Sequence, residues 1–135
     1  MFLIDTNAVL DILSPASPWA DWSTDAIADA KTAGWVAINP IIYAELAVPY
    51  DRVADLDLDL RTLSLRRLPL PYEAAFLAGR AFREHRQRGG SRAAPMSDFY
   101  IGAHAAFARL GIVTRDPQPY RSYFPSVQLM TPQRA

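Results

Sequence analysis

Short apolar runs punctuate this chain. Each is followed by a polar cluster, then by a longer stretch in which apolar residues recur every three or four positions. The first run, Phe2-Leu3-Ile4, is bounded at once by Asp5-Thr6-Asn7. It predicts a buried strand over 2–4, of the kind found in parallel sheets. Residues 7–13 read as a short helix that Ser14-Pro15 breaks. Ser17-Pro18 restarts a helix with proline in its first turn, and Gly34 ends it near residue 33. Trp19, Trp22, Ile27 and Ala30 fall roughly on one face of that helix. Residues 35–38 predict a second strand, and Asn39-Pro40 caps a helix over 41–48 that Pro49 closes.

The segment 51–63 carries two patterns. DLDLDL alternates like a strand, but Val53, Leu56, Leu60 and Leu63 recur at helical spacing, and a helix is expected. A third strand follows at 65–68. A long helix over 71–88 has Ala74, Ala75, Ala78 and Phe82 on its inner face. RQRGGSRAA reads as a basic, glycine-containing loop, after which Pro95 opens a helix through 110 and Gly111 ends it. Residues 112–113 and 127–129 supply a fourth and a fifth strand. Strands alternating with amphipathic helices predict an α/β fold. Its form is a three-layer α/β/α sandwich around a central, mainly parallel five-stranded sheet. Ligands of such sheets bind at the carboxyl ends of the strands.

A length of 135 residues, half of them hydrophobic, suits one domain over 1–135 with a real core. There is no apolar stretch of membrane-spanning length and no basic leader before the first strand, so neither a membrane anchor nor a signal peptide is expected. The absence of cysteine removes disulfides, thiolate metal sites and cysteine nucleophiles, and it fits a cytoplasmic protein. Net charge is zero, so bulk electrostatics announce no polyanionic partner. Every basic residue but Lys31 is arginine. Arginine forks match phosphate well, although GC-rich codon usage is the simpler explanation.

Most acidic residues line solvated faces. Asp21, Asp25 and Asp29 form one stripe and Asp51, Asp55 and Asp59 another, while Glu73 suits the first turn of its helix. Four do not fit this description. Asp5 ends the first strand, Asp116 lies just past the fourth, Glu45 sits in the apolar helix PIIYAELAV, and Asp98 opens a helix rich in small residues. Gly102, Ala103, Ala105 and Ala106 would let that helix approach the sheet closely. Buried charge is costly unless paired or metal-bound, and crowded like charges cannot all stay ionised unaided. Oxygen-only ligands point to Mg2+ or Mn2+ and away from zinc. Mg2+ on carboxylates shares its shell with phosphate oxygens and can activate a water, so the reaction class expected is phosphodiester hydrolysis.

Asp5-Thr6-Asn7, Glu45 in YAEL, Asp98 in SDFYIGAHA and Thr114-Arg115-Asp116 together resemble the PIN-domain nucleases. More closely, YEAAFLAGRAFREHRQRGGSRAAPMSDFYIGAHA and TRDPQPYRSYFPSVQLMTP are similar to VapC toxins of bacterial type II toxin–antitoxin systems. The resemblance implies a metal-dependent endoribonuclease that arrests translation by cutting RNA. It implies an acidic quartet of Asp5, Glu45, Asp98 and Asp116, supported by Thr6, Asn7 and Thr114. It also implies a homodimer held by a VapB-like antitoxin that threads a segment into the acidic groove. In this scheme Asp5 and Asp98 touch the metal, Glu45 and Asp116 complete the site directly or through water, and Asn7 and Thr114 orient waters or carboxylates. Arg86, Arg88 and Arg92 are candidates for the RNA backbone. His104 reads as a core histidine and His85 as exposed and incidental, while the tryptophans and RSYF read as core or dimer contacts.

Other readings fit less well. A haloacid-dehalogenase-type phosphatase needs a second Asp where Asn7 stands, and a receiver domain needs a late lysine, whereas the only lysine is Lys31. A housekeeping PIN nuclease for RNA processing and a non-catalytic PIN-fold binding module are the remaining alternatives.

Overall fold

In a computed structural model, residues 1–14, 16–91 and 96–132 are described. Five strands form one all-parallel sheet: β1 (Phe2–Ile4), β2 (Val36–Ile38), β3 (Arg66–Arg67), β4 (Gly111–Val113) and β5 (Leu129–Met130). Their order is β3-β2-β1-β4-β5. The chain therefore works outward from β1 to one edge, returns, and works outward to the other. The reversal falls between β1 and β4, where Phe2, Leu3 and Ile4 pair with Gly111, Ile112 and Val113. That boundary is where a doubly wound sheet opens a crevice at its carboxyl edge. β1, β2 and β4 are buried along their whole length, which explains their unbroken apolar runs, whereas edge strand β3 is a pair of exposed arginines.

The expected three-layer α/β/α fold is what forms. The described residues build α1 (Thr6–Leu13), α2 (Ala20–Thr32), α3 (Pro40–Ala47), α4 (Val53–Arg61), α5 (Tyr72–Gln87), α6 (Met96–Ala108) and α7 (Gln118–Tyr123). α3 starts where expected, because Asn39 Oδ1 accepts from the Ile41 and Ile42 amides while Pro40 occupies the first turn. In α4 helical spacing prevails over the alternation: Leu56 and Leu60, one turn apart, are buried. α5 and α6, joined by a short connection, pack as an antiparallel pair, with Phe82 edge-on to Phe99 at 5.4 Å. Among the described residues, no helix is long and apolar enough to cross a membrane.

Three expectations need correction. α2 begins at Ala20, not at Ser17-Pro18; the Ser17 hydroxyl donates to Asp11 and accepts the Trp19 amide in the turn before it. Its buried face is Ser23, Ala26, Ile27 and Ala30, and Trp19 stands outside it, partly exposed. β5 lies at Leu129–Met130, since Val127 is taken up in a turn through its amide bond to Phe124 O at 3.0 Å. α7 has no counterpart in the sequence reading. Pro117 and Pro119 look like a turn, yet proline at the start of a helix costs nothing there, and Tyr120 and Phe124, one turn apart, are buried.

Phe124 sets how closely α6 is approached. A Cβ on Gly102 would lie 2.3 Å from Phe124 Cδ2. Gly102→Ala therefore forces a buried ring to move and should destabilise the protein by about 1–3 kcal/mol, despite alanine's better helix propensity. Urea denaturation measures this; a stabilised variant would refute the close contact.

Candidate active site

The strand ends supply the first polar groups. The Asp5 amide donates to Val113 O at 2.9 Å, extending the β1–β4 ladder by one step, and the chain then turns into α1. As the N-cap, Asp5 takes the Thr6 amide on Oδ1 at 2.8 Å. Its Oδ2 accepts from Thr114 Oγ1 and from the Tyr120 hydroxyl, each at 2.8 Å. The residue is 5% exposed. Burial pushes its carboxyl above the ordinary range. The Tyr120, Thr114 and Thr6 donors oppose that rise, and Glu45 adds to it.

Neighbouring residues brace this carboxylate. Thr6 Oγ1 donates to Glu45 Oε1 at 2.7 Å, linking α1 to α3. Asn7 spans the β1 and β4 ends: its Nδ2 donates to Thr114 Oγ1 at 3.2 Å, and its Oδ1 accepts from the Arg115 amide at 3.1 Å. The exposed Asp116 gives its backbone amide to Thr114 Oγ1 at 3.0 Å. Asp98 lies in the first turn of α6, half-buried. Burial, then Asp5, Glu45 and Asp116, all push its pKa upward, to about 6. So Asp5, Glu45, Asp98 and Asp116 share one field at the carboxyl edge, and Thr6, Asn7 and Thr114 stand among them. As their side chains stand, no group of three or more His, Asp or Glu among the described residues is gathered closely enough to hold a metal ion.

Two features of this edge are absent from the sequence reading. One is Tyr120, 1% exposed, whose hydroxyl reaches Asp5 from α7. Burial, then the charges of Asp5 and Asp98, raise its pKa well above 10, so it remains a donor. The other is a buried ion pair. Arg115 Nε and Nη2 grip Asp11 Oδ2 and Oδ1 at 2.6 and 3.0 Å, and Ser23 and Ser17 donate to the same carboxylate at 2.7 and 2.8 Å. Burial pushes the Asp11 carboxyl up, but the Arg115 fork and the hydroxyls outweigh it and hold the pKa low. The guanidinium lies over Trp19 at 5.5 Å. This clamp anchors α1 and α2 to the chain just past β4. A d-x-x-x-x-x-S spacing gives no warning of it, because the arginine comes from far along the sequence.

The histidines and loop arginines resolve individually. His104 is buried and accepts from Asn39 Nδ2 at 3.0 Å, with its pKa lowered by burial. His85 is not exposed and incidental. It packs against Phe82, Phe99 and Tyr123, with Nε2–H donating to Ser91 O at 3.1 Å and Nδ1 accepting from Tyr123 OH at 2.8 Å. Arg88 is paired with Glu84 and lies over the Tyr123 ring at 5.1 Å, while Arg86 is exposed. Arg92 lies outside the described residues.

Comparison with solved structures finds the same fold in other proteins. VapBC2 from Rickettsia felis bound to a promoter DNA fragment contains a chain 18% identical to this one, with a TM-score of 0.76 and 98% of each chain covered. A toxin–antitoxin complex from Klebsiella pneumoniae matches at 20% identity and a TM-score of 0.68 over 100% of each chain. FitAcB from Neisseria gonorrhoeae matches at 22% identity and a TM-score of 0.66 over 96% of each chain. No curated protein sequence matches. The PIN domain family matches residues 2–125, a span that runs from β1 through α7 and takes in the whole carboxylate edge, and the chain belongs to that family.

Proposed function

We propose that this protein is a VapC-type toxin: a Mg2+- or Mn2+-dependent endoribonuclease that cuts RNA, stops translation and is restrained by a VapB-like antitoxin. PIN domains are generally nucleases. The observation that carries the reading is the state of Asp98, on which every influence is unfavourable to charge: burial, Asp5, Glu45 and Asp116. A crevice that crowds four carboxylates at the sheet's switch point is unfavourable to itself and favourable to a hard cation. All the donor atoms are oxygens, which fits Mg2+ or Mn2+. The toxin–antitoxin assignment draws on the fold shared with the Rickettsia felis, Klebsiella pneumoniae and Neisseria gonorrhoeae complexes and on the sequence resemblance. A homodimer completes the proposal.

On this reading Asp5 and Asp98 hold the ion, and Glu45 and Asp116 complete its shell directly or through water. When bound, the ion supplies an activated water and neutralises charge at the scissile phosphate. The chain itself supplies orientation. Thr114 and Tyr120 occupy Oδ2 of Asp5, while Oδ1 takes only the Thr6 amide. Thr6 fixes Glu45, and Asn7 holds Thr114 in place. An antitoxin arginine presented to the same carboxylates would silence the site by competing for them.

Asp5→Asn should lower RNA cleavage at least about a hundredfold, beyond what loss of a merely supporting group costs, while circular dichroism stays native. EDTA should abolish cleavage by the parent and Mn2+ restore it. Cleavage that survives both would sink the assignment. Tyr120→Phe keeps the buried ring and loses one bond to Asp5; cleavage should fall about 10–100-fold, with Mn2+ affinity weakened when measured by calorimetry.

The Asp98 carboxyl titrates near 6 in the folded protein against 3.8 unfolded. Its raised pKa is a stability cost fully present above pH 6 and absent below the unfolded value. Metal-free protein should therefore gain stability from this group as pH falls from about 6 to about 4. Asp98→Asn should be more stable than the parent at pH 7 by about 1 kcal/mol, after discounting for solvent screening of a half-exposed group. Thermal melts in EDTA across that range check it; parallel curves for parent and variant would contradict the shift.

A further inference from the structure

The formal charge of zero conceals a division along the chain. Up to Thr62 there are three basic and ten acidic residues; beyond it there are eleven basic and four acidic. Several arginines of the second part are engaged: Arg115 with Asp11, Arg67 with Asp57, Arg88 with Glu84. The outer face of α5 is different. Arg80, Arg83 and Arg86 are exposed there, and among the described residues no salt bridge ties any of them to a carboxylate. Arg80 and Arg83 line a groove that α5 forms with α6 and with Tyr123 to Ser126, and Arg83 and Arg86 line a second hollow reaching Gly90. N-terminal to them on the same helix, Tyr72 is 92% exposed and Phe76 66%, with the Arg80 guanidinium over the Phe76 ring at 5.9 Å.

The arginine groove of this face shares Tyr123 with α7, the helix whose Tyr120 reaches Asp5. Tyr120 of α7 bonds Asp5, and Tyr123, three residues on and about 4.5 Å along the axis, bonds His85 and lies under Arg88 of α5. One turn of α7 thus separates the residue that touches α5 from the residue that touches Asp5. Solvent-exposed rings followed by unpaired guanidinium groups are the composition that holds single-stranded nucleic acid, with bases on the rings and phosphates on the cations.

We propose that the outer face of α5 binds the single-stranded RNA flanking the cut, with Tyr72 and Phe76 stacking bases and Arg80, Arg83 and Arg86 taking phosphates. The proposal rests on the ribonuclease reading for its choice of polyanion. Its test needs no cleavage. In an Asp5→Asn background, anisotropy of a labelled single-stranded RNA gives Kd between about 50 and 200 mM salt. R80Q/R83Q/R86Q should weaken binding on the order of tenfold or more and flatten the log Kd against log salt slope by about 2. Y72A/F76A should weaken binding by about tenfold or more and leave the slope unchanged. R52Q/R61Q/R109Q, which removes equal charge elsewhere, should alter Kd by less than about twofold. Thermal melts confirm that each variant is folded.

An arginine triple variant that binds like its parent overturns the proposal, as does a control triple variant that loses as much. Polyglutamate competing as well as RNA, with the same arginine dependence, overturns it in favour of an acidic protein partner. Y72A/F76A that dissociates an oligomer and keeps its RNA affinity overturns it in favour of a second copy. Metal-loaded parent that binds RNA through this face and never cuts it would instead refute the ribonuclease reading.

Discussion

One buried carboxylate organises this protein. Asp5 sits where β1 passes into α1, and burying its charge there is unfavourable unless donors reach it. They arrive from three directions: the first turn of α1, the end of β4 and the start of the α7 region. Each donor ties a separate segment to the same spot, so satisfying Asp5 also fixes the relative placement of β1, β4 and α7. Asn7 and the Asp11–Arg115 clamp repeat the pattern on the neighbouring turn. The carboxyl edge is consequently a network in which no buried side-chain donor or acceptor among the described residues is left without a partner.

The surrounding packing serves the same edge. α6 can bring Asp98 toward Asp5 because its buried surface includes Gly102, Ala103 and Ala105 beside Phe99, Ile101 and His104, with Phe124 filling the space a larger residue at 102 would need. A bulkier α6 would stand off the sheet and relieve the burial and the repulsion that raise the Asp98 pKa. Close approach and electrostatic strain therefore have one cause. On the proposed reading, the fold accepts an unfavourable charge arrangement that a bound cation would relieve.

How much of this was legible depends on the range of each signal. Phe2–Ile4 with Asp5 after it, Asn39-Pro40 before α3, and Leu56 and Leu60 in α4 announce themselves locally, through apolar runs, caps and spacing. The helical reading of 51–63 held because two buried leucines outweigh an alternation of exposed aspartates. α7 was illegible because six polar and aromatic residues between prolines satisfy turn rules as well as helix rules. Tyr120 was hidden with it. Asp11 looked like any polar residue in a short helix, and its partner Arg115 is brought to it only by the β1–β4 pairing. His85 has a basic, hydrophilic neighbourhood in sequence; its burial comes from Tyr123 and Phe99, which the fold supplies.

The zero net charge illustrates the same limit. A total erases arrangement: α2 and α4 hold six aspartates and α5 holds three arginines, and such local imbalances disappear in the sum. For a polyanionic substrate the arrangement is what matters. A carboxylate crevice repels phosphate, so a strand must be held nearby by something cationic until a divalent ion reverses the sign of the crevice. On the proposed reading, arginine on α5 meets that need, whereas a guanidinium beside Asp5 would pair with the carboxylates and take the place of the ion. The α7 turn from Tyr120 to Tyr123 keeps the two charge systems adjacent and separate. On the proposed reading, this spacing allows one chain to be both attractive to RNA and open to a metal.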